Sequence, residues 1–207
     1  MYHFTDAGGR EVGMRFDLTV PFARFAAQHI GQLGTPFKRY HIAPVWRGET
    51  PQAGRFREFV QCDFDTIGTT GVVSDIETAL VIHELMQTIG ISQFQIRINN
   101  RQVLTAFLQQ MGLENSSTAV LRALDKFEKI GGDKVRAELE QAGLSSDQAS
   151  GVLTLAATNG STEEVLSQLQ SLVGKNELGE QGIQRLKDIS SALVAAGVSK
   201  DNFRLDV

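Results

Sequence analysis

Residues 56–65 alternate in a way an ordinary half-buried strand does not. One face would carry Phe56, Glu58, Val60, Cys62 and Phe64, the other Arg57, Phe59, Gln61, Asp63 and Asp65. The first reads as a core face, with Cys62 a packed and inert thiol. The second sets an amide and two carboxylates beside aromatic rings, where burial without partners costs several kcal/mol. Such a strand faces water or lines a polar pocket. If it pairs as an antiparallel hairpin with residues 37–47 across the loop 48–55, Arg47 falls near Arg57, Ala43 near Gln61 and Arg39 near Asp65. Arg47, Arg55, Arg57, Gln61 and Asp65 then converge with Asp17 of the Arg15-Phe16-Asp17 run. Guanidinium groups suit planar, bidentate recognition of phosphate or carboxylate, and the first hundred residues hold eight Arg against one Lys, Lys38. The alternative is a solvent-facing sheet whose salt bridges contribute ~0–1 kcal/mol each.

The elements that must position these groups lie in the first half. Residues 11–17 read as extended, followed by a helix capped by Thr19, with Pro21 in its first turn, running to about His29. After the hairpin, a helix over 73–89 capped by Ser74 or Asp75 leads to a strand over 94–99. Residues 7–10, with Gly8 and Gly9, read as a hairpin turn and not a phosphate loop, since no helix follows directly. His29 and His83 lack ligand spacing and read as structural. Strand alternation accounts for the Asp63-Phe64-Asp65 spacing better than an acidic metal pair does.

From 100 to 198 there is no Pro, and Gly at 112, 131, 132, 143, 160, 174 and 197 cuts the chain into helix-sized lengths. Five or six short helices are expected, starting at Asn100, Ser116 or Ser117, Asp133, Ser145 and Ser161. The last two are capping boxes, with Gln148 and Glu164 three residues on. Lys126, Glu128 and Lys129 read as a solvated face. Residues 202–207 alternate again, so if this last strand rejoins the first sheet the helices are an insertion. The expected fold class is α+β, with residues 1–99 and 199–207 in one domain and 100–198 an all-helical module.

The composition narrows the functions. No apolar run approaches the ~18 residues a spanning helix needs. The opening MYHFTDAGGREVG has no export pattern, so the cytosol is the expected location. A single cysteine excludes an internal disulfide. With 20 Lys+Arg against 24 Asp+Glu, a net charge of −4 argues against binding nucleic acid by bulk electrostatics alone, while a local basic patch stays open.

The run RYHIAPVWRGETPQAGRFREFVQCDFD resembles motif 2 of class II aminoacyl-tRNA synthetases, and specifically of the histidyl-tRNA synthetase family. Arg47-Gly48-Glu49 and a loop cation, Arg55, four residues before Phe59 carry the likeness. The flanking MRFDLTVPFARFAAQH and SDIETALVIHEL fit the same family, and 100–198 resembles more loosely its helical insertion. The resemblance implies an α+β antiparallel-sheet catalytic domain that joins histidine to tRNA(His) using ATP. It implies that Arg47 contacts the α-phosphate as the main catalytic residue, Glu49 accepts from the adenine amino group, Arg55 holds the outer phosphates and Phe59 stacks under the base. Asp17, Thr19, Gln61 and Asp65 match the positions that bind histidine, with Asp at 17 and 65 where commoner bacterial sequences have Glu. Magnesium is implied by the ATP chemistry, with no ligands assigned, and a homodimer is implied for the full-length protein. The family's first and third motifs, its Arg-Gly-Leu-Asp-Tyr-Tyr segment and its anticodon-binding domain have no counterpart here, so a chain of this extent is expected to be inactive alone. Two alternatives stand: the non-catalytic synthetase-like regulatory subunit of ATP phosphoribosyltransferase, expected to have lost motif 2 chemistry, and a helical interaction module with a decayed catalytic half.

Overall fold

The computed structural model describes residues 1–206, apart from the side chain of Glu128. Val207, the last residue of the expected terminal strand, lies outside the described residues, as does that side chain. The chain divides into two compact units, Met1–Ser74 and Asp75–Val207. This division falls early in a helix, whereas the change in composition lies near residue 100.

In the first unit β1 (His3–Thr5) and β2 (Glu11–Gly13) form an antiparallel hairpin. Its turn closes on Asp6, whose carboxylate accepts from the N–H groups of Gly8 and Arg10, both at 2.9 Å, and pairs with the Arg10 guanidinium at 2.7 Å. Gly9 supplies the left-handed residue with φ +77°. Residues 7–10 are therefore a hairpin turn, as expected.

The strand over 11–17 is shorter than expected. Pairing ends at Gly13, and the segment turns to the end of the next hairpin, where Trp46 N–H donates to Arg15 C=O at 3.0 Å and Arg15 Nε to Pro44 C=O at 2.7 Å. Helix α1 (Thr19–Leu33) runs four residues past His29 and stops at Gly34, φ +73°. Thr19 is not its cap. Leu18 takes the N-cap position, and Asp17 Oδ1 accepts from Val20 N–H at 3.1 Å. A carboxylate at this helix start also meets the positive end of the helix dipole.

Strands β3 (Phe37–Trp46) and β4 (Glu58–Ile67) pair antiparallel over ten residues, with Arg39 opposite Asp65 and Ala43 opposite Gln61 as the alternation predicts. The assignment of faces is reversed. Tyr40 is 78% exposed, Ile42 59% and Val60 65%, and Cys62 is exposed, not packed. Phe59, Gln61, Asp63 and Asp65 are half-buried instead. The cause is local: residues 16–22 lie against the polar face through Arg39 and Arg47, while no described residue of this unit covers Tyr40, Ile42 and Val60 to the same degree.

In the second unit, α2 (Val72–Thr88) begins ahead of Ser74, whose Oγ donates to Gly71 C=O at 2.9 Å, so Ser74 and Asp75 sit in the first turn and are not caps. The strand over 94–99 narrows to β5 (Ile96–Ile98). Six helices follow: α3 (Arg101–Gln110), α4 (Ser117–Ile130), α5 (Gly132–Gln141), α6 (Ser146–Ala156), α7 (Thr162–Val173) and α8 (Glu177–Ala195). Asn100 caps α3, and both capping boxes, Ser145/Gln148 and Ser161/Glu164, are formed. Ser116 holds the N-cap position of α4 without a side-chain bond, and Asp133 lies inside the first turn of α5. Asn176, unforeseen, caps α8 by accepting from Leu178 and Gly179 N–H at 3.0 and 3.2 Å.

Phe107, Leu139, Leu155, Leu169 and Leu186 are at most 1% exposed and form one core. Helices α3 and α8 pack closely at Gly182, where an added Cβ would lie 2.9 Å from Val103 Cγ2 and 3.1 Å from Val103 N. After α8, β6 (Phe203–Leu205) pairs in parallel with β5, not with the β3–β4 hairpin, so the chain leaves for the helices and returns at the same place. The described residues thus have an α+β fold. Among them, no helix is long and apolar enough to cross a membrane.

Candidate functional site

The β3–β4 hairpin carries its chemistry at two levels. At its loop end, Arg47 N–H donates to Arg57 C=O at 2.8 Å, extending the ladder one step. The loop then reverses where Arg55 N–H donates to Gln52 C=O at 2.8 Å and Gly54 takes φ +76°. That fold-back brings Arg47, Glu49, Arg55 and Phe59 around one cleft of about 420 Å³, with Gly54 and Phe56. Phe56, which alternation had placed in the core, lines this cleft at 72% exposure.

Arg47 is the fixed cation of the cleft. Its Nε donates to Phe16 C=O at 3.3 Å, and its guanidinium carbon lies 4.7 Å from the Phe16 ring centre and 5.1 Å from that of Phe59. Two ring faces and a carbonyl restrain its rotamers while its charge is left for a ligand. Glu49 and Arg55 face each other at 3.9 Å with more than half of each side chain exposed. A pair so exposed contributes ~0–1 kcal/mol, so a ligand can recruit either at little cost. Arg57, expected to converge here, donates instead to Glu49 C=O at 3.4 Å and does not line the cleft.

Further along the hairpin, on its covered face, lie Gln61 and Asp65. Arg39 Nη2, one of whose two protons goes to Leu18 C=O at 3.0 Å, also comes within 2.6 Å of Asp65 Oδ2 as an ion pair. Gln61 Oε1, Asp65 Oδ2 and the Nε and Nη1 of Arg39 are buried and have no hydrogen-bond partner among the described residues. Buried polar atoms are nearly always satisfied, so these four, three of them on the Arg39–Asp65 pair, single out this face of the hairpin. Asp17 lies on the segment that Arg47 and Arg39 both grip, flanking Leu18, with Oδ2 left after Oδ1 caps α1. Thr19 is exposed at the start of α1, and no hydrogen bond of its side chain joins it to Gln61 or Asp65.

No group of three or more His, Cys, Asp or Glu among the described residues could hold a metal ion, and the carboxylate in the cleft, Glu49, faces Arg55. His29 packs on Phe25 with ring centres 4.9 Å apart and His83 on Phe94 at 5.6 Å, both structural contacts. The sequence overlooked Phe16 and Phe22. Phe16 is visible as the aromatic residue immediately before Asp17, while Phe22 carries no signal beyond helical spacing.

A motif 2 hairpin whose arginine, glutamate, loop arginine and phenylalanine surround one cleft defines a class II aminoacyl-tRNA synthetase fold. The family described as histidyl-tRNA synthetase matches residues 1–207, and the chain belongs to that family. It is 58% identical over 208 residues to the histidine–tRNA ligase of Rhodopirellula baltica, covering all of this chain and 47% of that protein. The crystal structure of histidyl-tRNA synthetase from Nostoc sp. PCC 7120 superposes with a TM-score of 0.89 at 32% identity, over all of this chain and 48% of that one. A Bacillus halodurans structure described as an ATP phosphoribosyltransferase regulatory subunit/histidyl-tRNA synthetase shares the fold, with a TM-score of 0.83 at 22% identity over 100% and 52%. The chain spans about half the length of the curated relatives it matches.

Proposed function

We propose that this chain carries the ATP-binding and part of the histidine-binding surface of a cytoplasmic histidine–tRNA ligase. The observation that carries the reading is the single cleft shared by Arg47, Glu49, Arg55 and Phe59. In the reaction, a carboxylate oxygen of histidine attacks the α-phosphorus of ATP, the bond to the bridging oxygen breaks, and pyrophosphate leaves with that electron pair. Arg47 faces the charge that grows on the α-phosphate oxygens, a stabilisation realised most fully in the transition state. Phe59 offers its ring to adenine, Glu49 accepts from the exocyclic amino group, and Arg55 on the exposed loop meets the outer phosphates. The 3′-terminal hydroxyl of tRNA(His) then attacks the carbonyl of the adenylate and AMP departs.

Gln61, Asp65, Asp17 and Thr19 are the residues proposed to receive histidine. Acids and an amide fit an imidazole, whose two nitrogens few other side chains mimic, and a site built to hydrogen-bond its substrate rejects one that leaves it unpaired. Residues 1–99 and 199–207 are proposed as catalytic-domain portions and 100–198 as an insertion, which the pairing of β5 with β6 supports. A homodimer is proposed for the complete enzyme.

The shared fold of the regulatory subunit keeps that alternative in view, but a non-catalytic relative has no need of the four cleft residues, all present here. Calorimetry with a non-hydrolysable histidyl-adenylate analogue separates the two. Binding that Phe59→Ala weakens supports the synthetase. Failure to bind the analogue contradicts it.

A further inference from the structure

We propose that Arg39 is the positioning residue that fixes Asp65 for histidine recognition, an inference that rests on the histidine-site reading above. Arg39 stands opposite Asp65 on β3, and its side chain, 11% exposed, is the more deeply covered of the two. Three groups hold it: the Asp65 carboxylate at 2.6 Å, the Leu18 carbonyl at 3.0 Å, and the Phe22 ring, 4.3 Å from the guanidinium carbon. Leu18 is fully buried and lies between Asp17 and Thr19. One guanidinium therefore ties the hairpin that carries Gln61 and Asp65 to the segment that carries Asp17 and Thr19. It spans the two proposed halves of one binding surface.

The chemistry requires such a tie. Aspartate is a short side chain, so its carboxylate can be aimed only by what stands beside it. A half-buried carboxylate without a cation is costly, and the Arg39 charge offsets that cost without exhausting the carboxylate, whose two oxygens hold about four acceptor sites. Asp65 Oδ2 is left buried and without an aligned donor, as is Gln61 Oε1 on the same face four residues earlier. A carboxylate and an amide on one face suit N–H donors, and imidazole and ammonium groups are such donors. Opposite Gln61 stands Ala43, whose methyl leaves room beside the amide. Arg39 itself need not touch the substrate.

Histidine-dependent ATP–pyrophosphate exchange, measured on the protein at the length its source cell makes, tests the proposal with Arg39→Met, Arg39→Lys, Asp65→Asn and the Arg39→Met/Asp65→Asn pair. Arg39→Met is expected to raise the histidine KM about 10- to 100-fold, the worth of one charged hydrogen bond, with the ATP KM within about twofold. Arg39→Lys, which keeps the charge but not the fork, should recover part of that loss and decides the matter if the methionine variant does not fold. In the Asp65→Asn background Arg39→Met should add less than about twofold, because its effect runs through the carboxylate. An unchanged histidine KM, an ATP KM that rises in step, or full additivity overturns the proposal while the function stands. No histidine-dependent exchange by the unsubstituted protein overturns the function, and this proposal with it.

Discussion

Arg47 is held from two directions by Phe16: its Nε donates to the Phe16 carbonyl at 3.3 Å, and its guanidinium carbon sits 4.7 Å from the centre of the Phe16 ring. The backbone contact sets where the side chain lies, and the ring sets its plane against Phe59. Phe16→Ala keeps the carbonyl and removes the ring. A cation–π contact at such a site contributes ~0.5–1 kcal/mol, so adenylate formation should slow about 2- to 5-fold with little change in the ATP KM. Pre-steady-state adenylate formation measures this, and an unaltered rate would show that the ring does not orient Arg47.

Removing the guanidinium itself should be far more damaging. Arg47→Ala is expected to lower the rate of adenylate formation by about 10²- to 10³-fold, the usual loss for a group aimed at developing charge, while histidine and ATP still bind. Equilibrium binding beside single-turnover kinetics separates the two effects. Collapse of substrate binding would assign Arg47 to ground-state affinity instead.

Asp65→Ala should act on the other substrate. The histidine KM is expected to rise about 10- to 100-fold and the ATP KM far less, because Asp65 lies away from the nucleotide cleft. Equal changes in both constants would remove Asp65 from the histidine site.

Two predictions concern the helical unit. Gly182→Ala would place a methyl group 2.9 Å from Val103 Cγ2 and 3.1 Å from its backbone nitrogen, and backbone cannot give way as a flexible side chain can. The expected loss is ~1–3 kcal/mol, read from urea unfolding of the wild type and variant. An equal midpoint would mean that α3 and α8 separate freely there.

The Ser161 N–H and hydroxyl hold the Glu164 carboxyl below its ordinary value of 4.5. A carboxylate with a depressed folded pKa contributes stability that is present above the unfolded value and lost as pH falls through the folded one. Stability should therefore decline as pH drops below about 4.5, and Glu164→Gln should flatten this part of the profile. An NMR titration in which Glu164 titrates at or above its ordinary value would contradict the capping account.

The hairpin register was legible because a period of two and a loop of known length leave one pairing, and Arg39 opposite Asp65 follows directly. Both capping boxes were legible because their spacing is local. The faces of β4 failed because they depend on neighbours far along the chain. Alternation shows that β4 has two faces but not which is covered, and residues 16–22 cover the polar one, leaving Val60 and Cys62 outside. Thr19 looked like a cap by type, yet Asp17 reaches the Val20 N–H first. Among site residues, the four of the cleft were named by their motif and Arg39 beside Asp65 by the register, whereas the hold of Phe16 on Arg47 exists only through a tertiary contact.

Histidine specificity is read from ATP–pyrophosphate exchange in the protein at its natural length, with each of the twenty amino acids supplied in turn. Exchange is expected with histidine alone. Exchange driven by another amino acid, or none with histidine in a protein that still binds ATP, would contradict it.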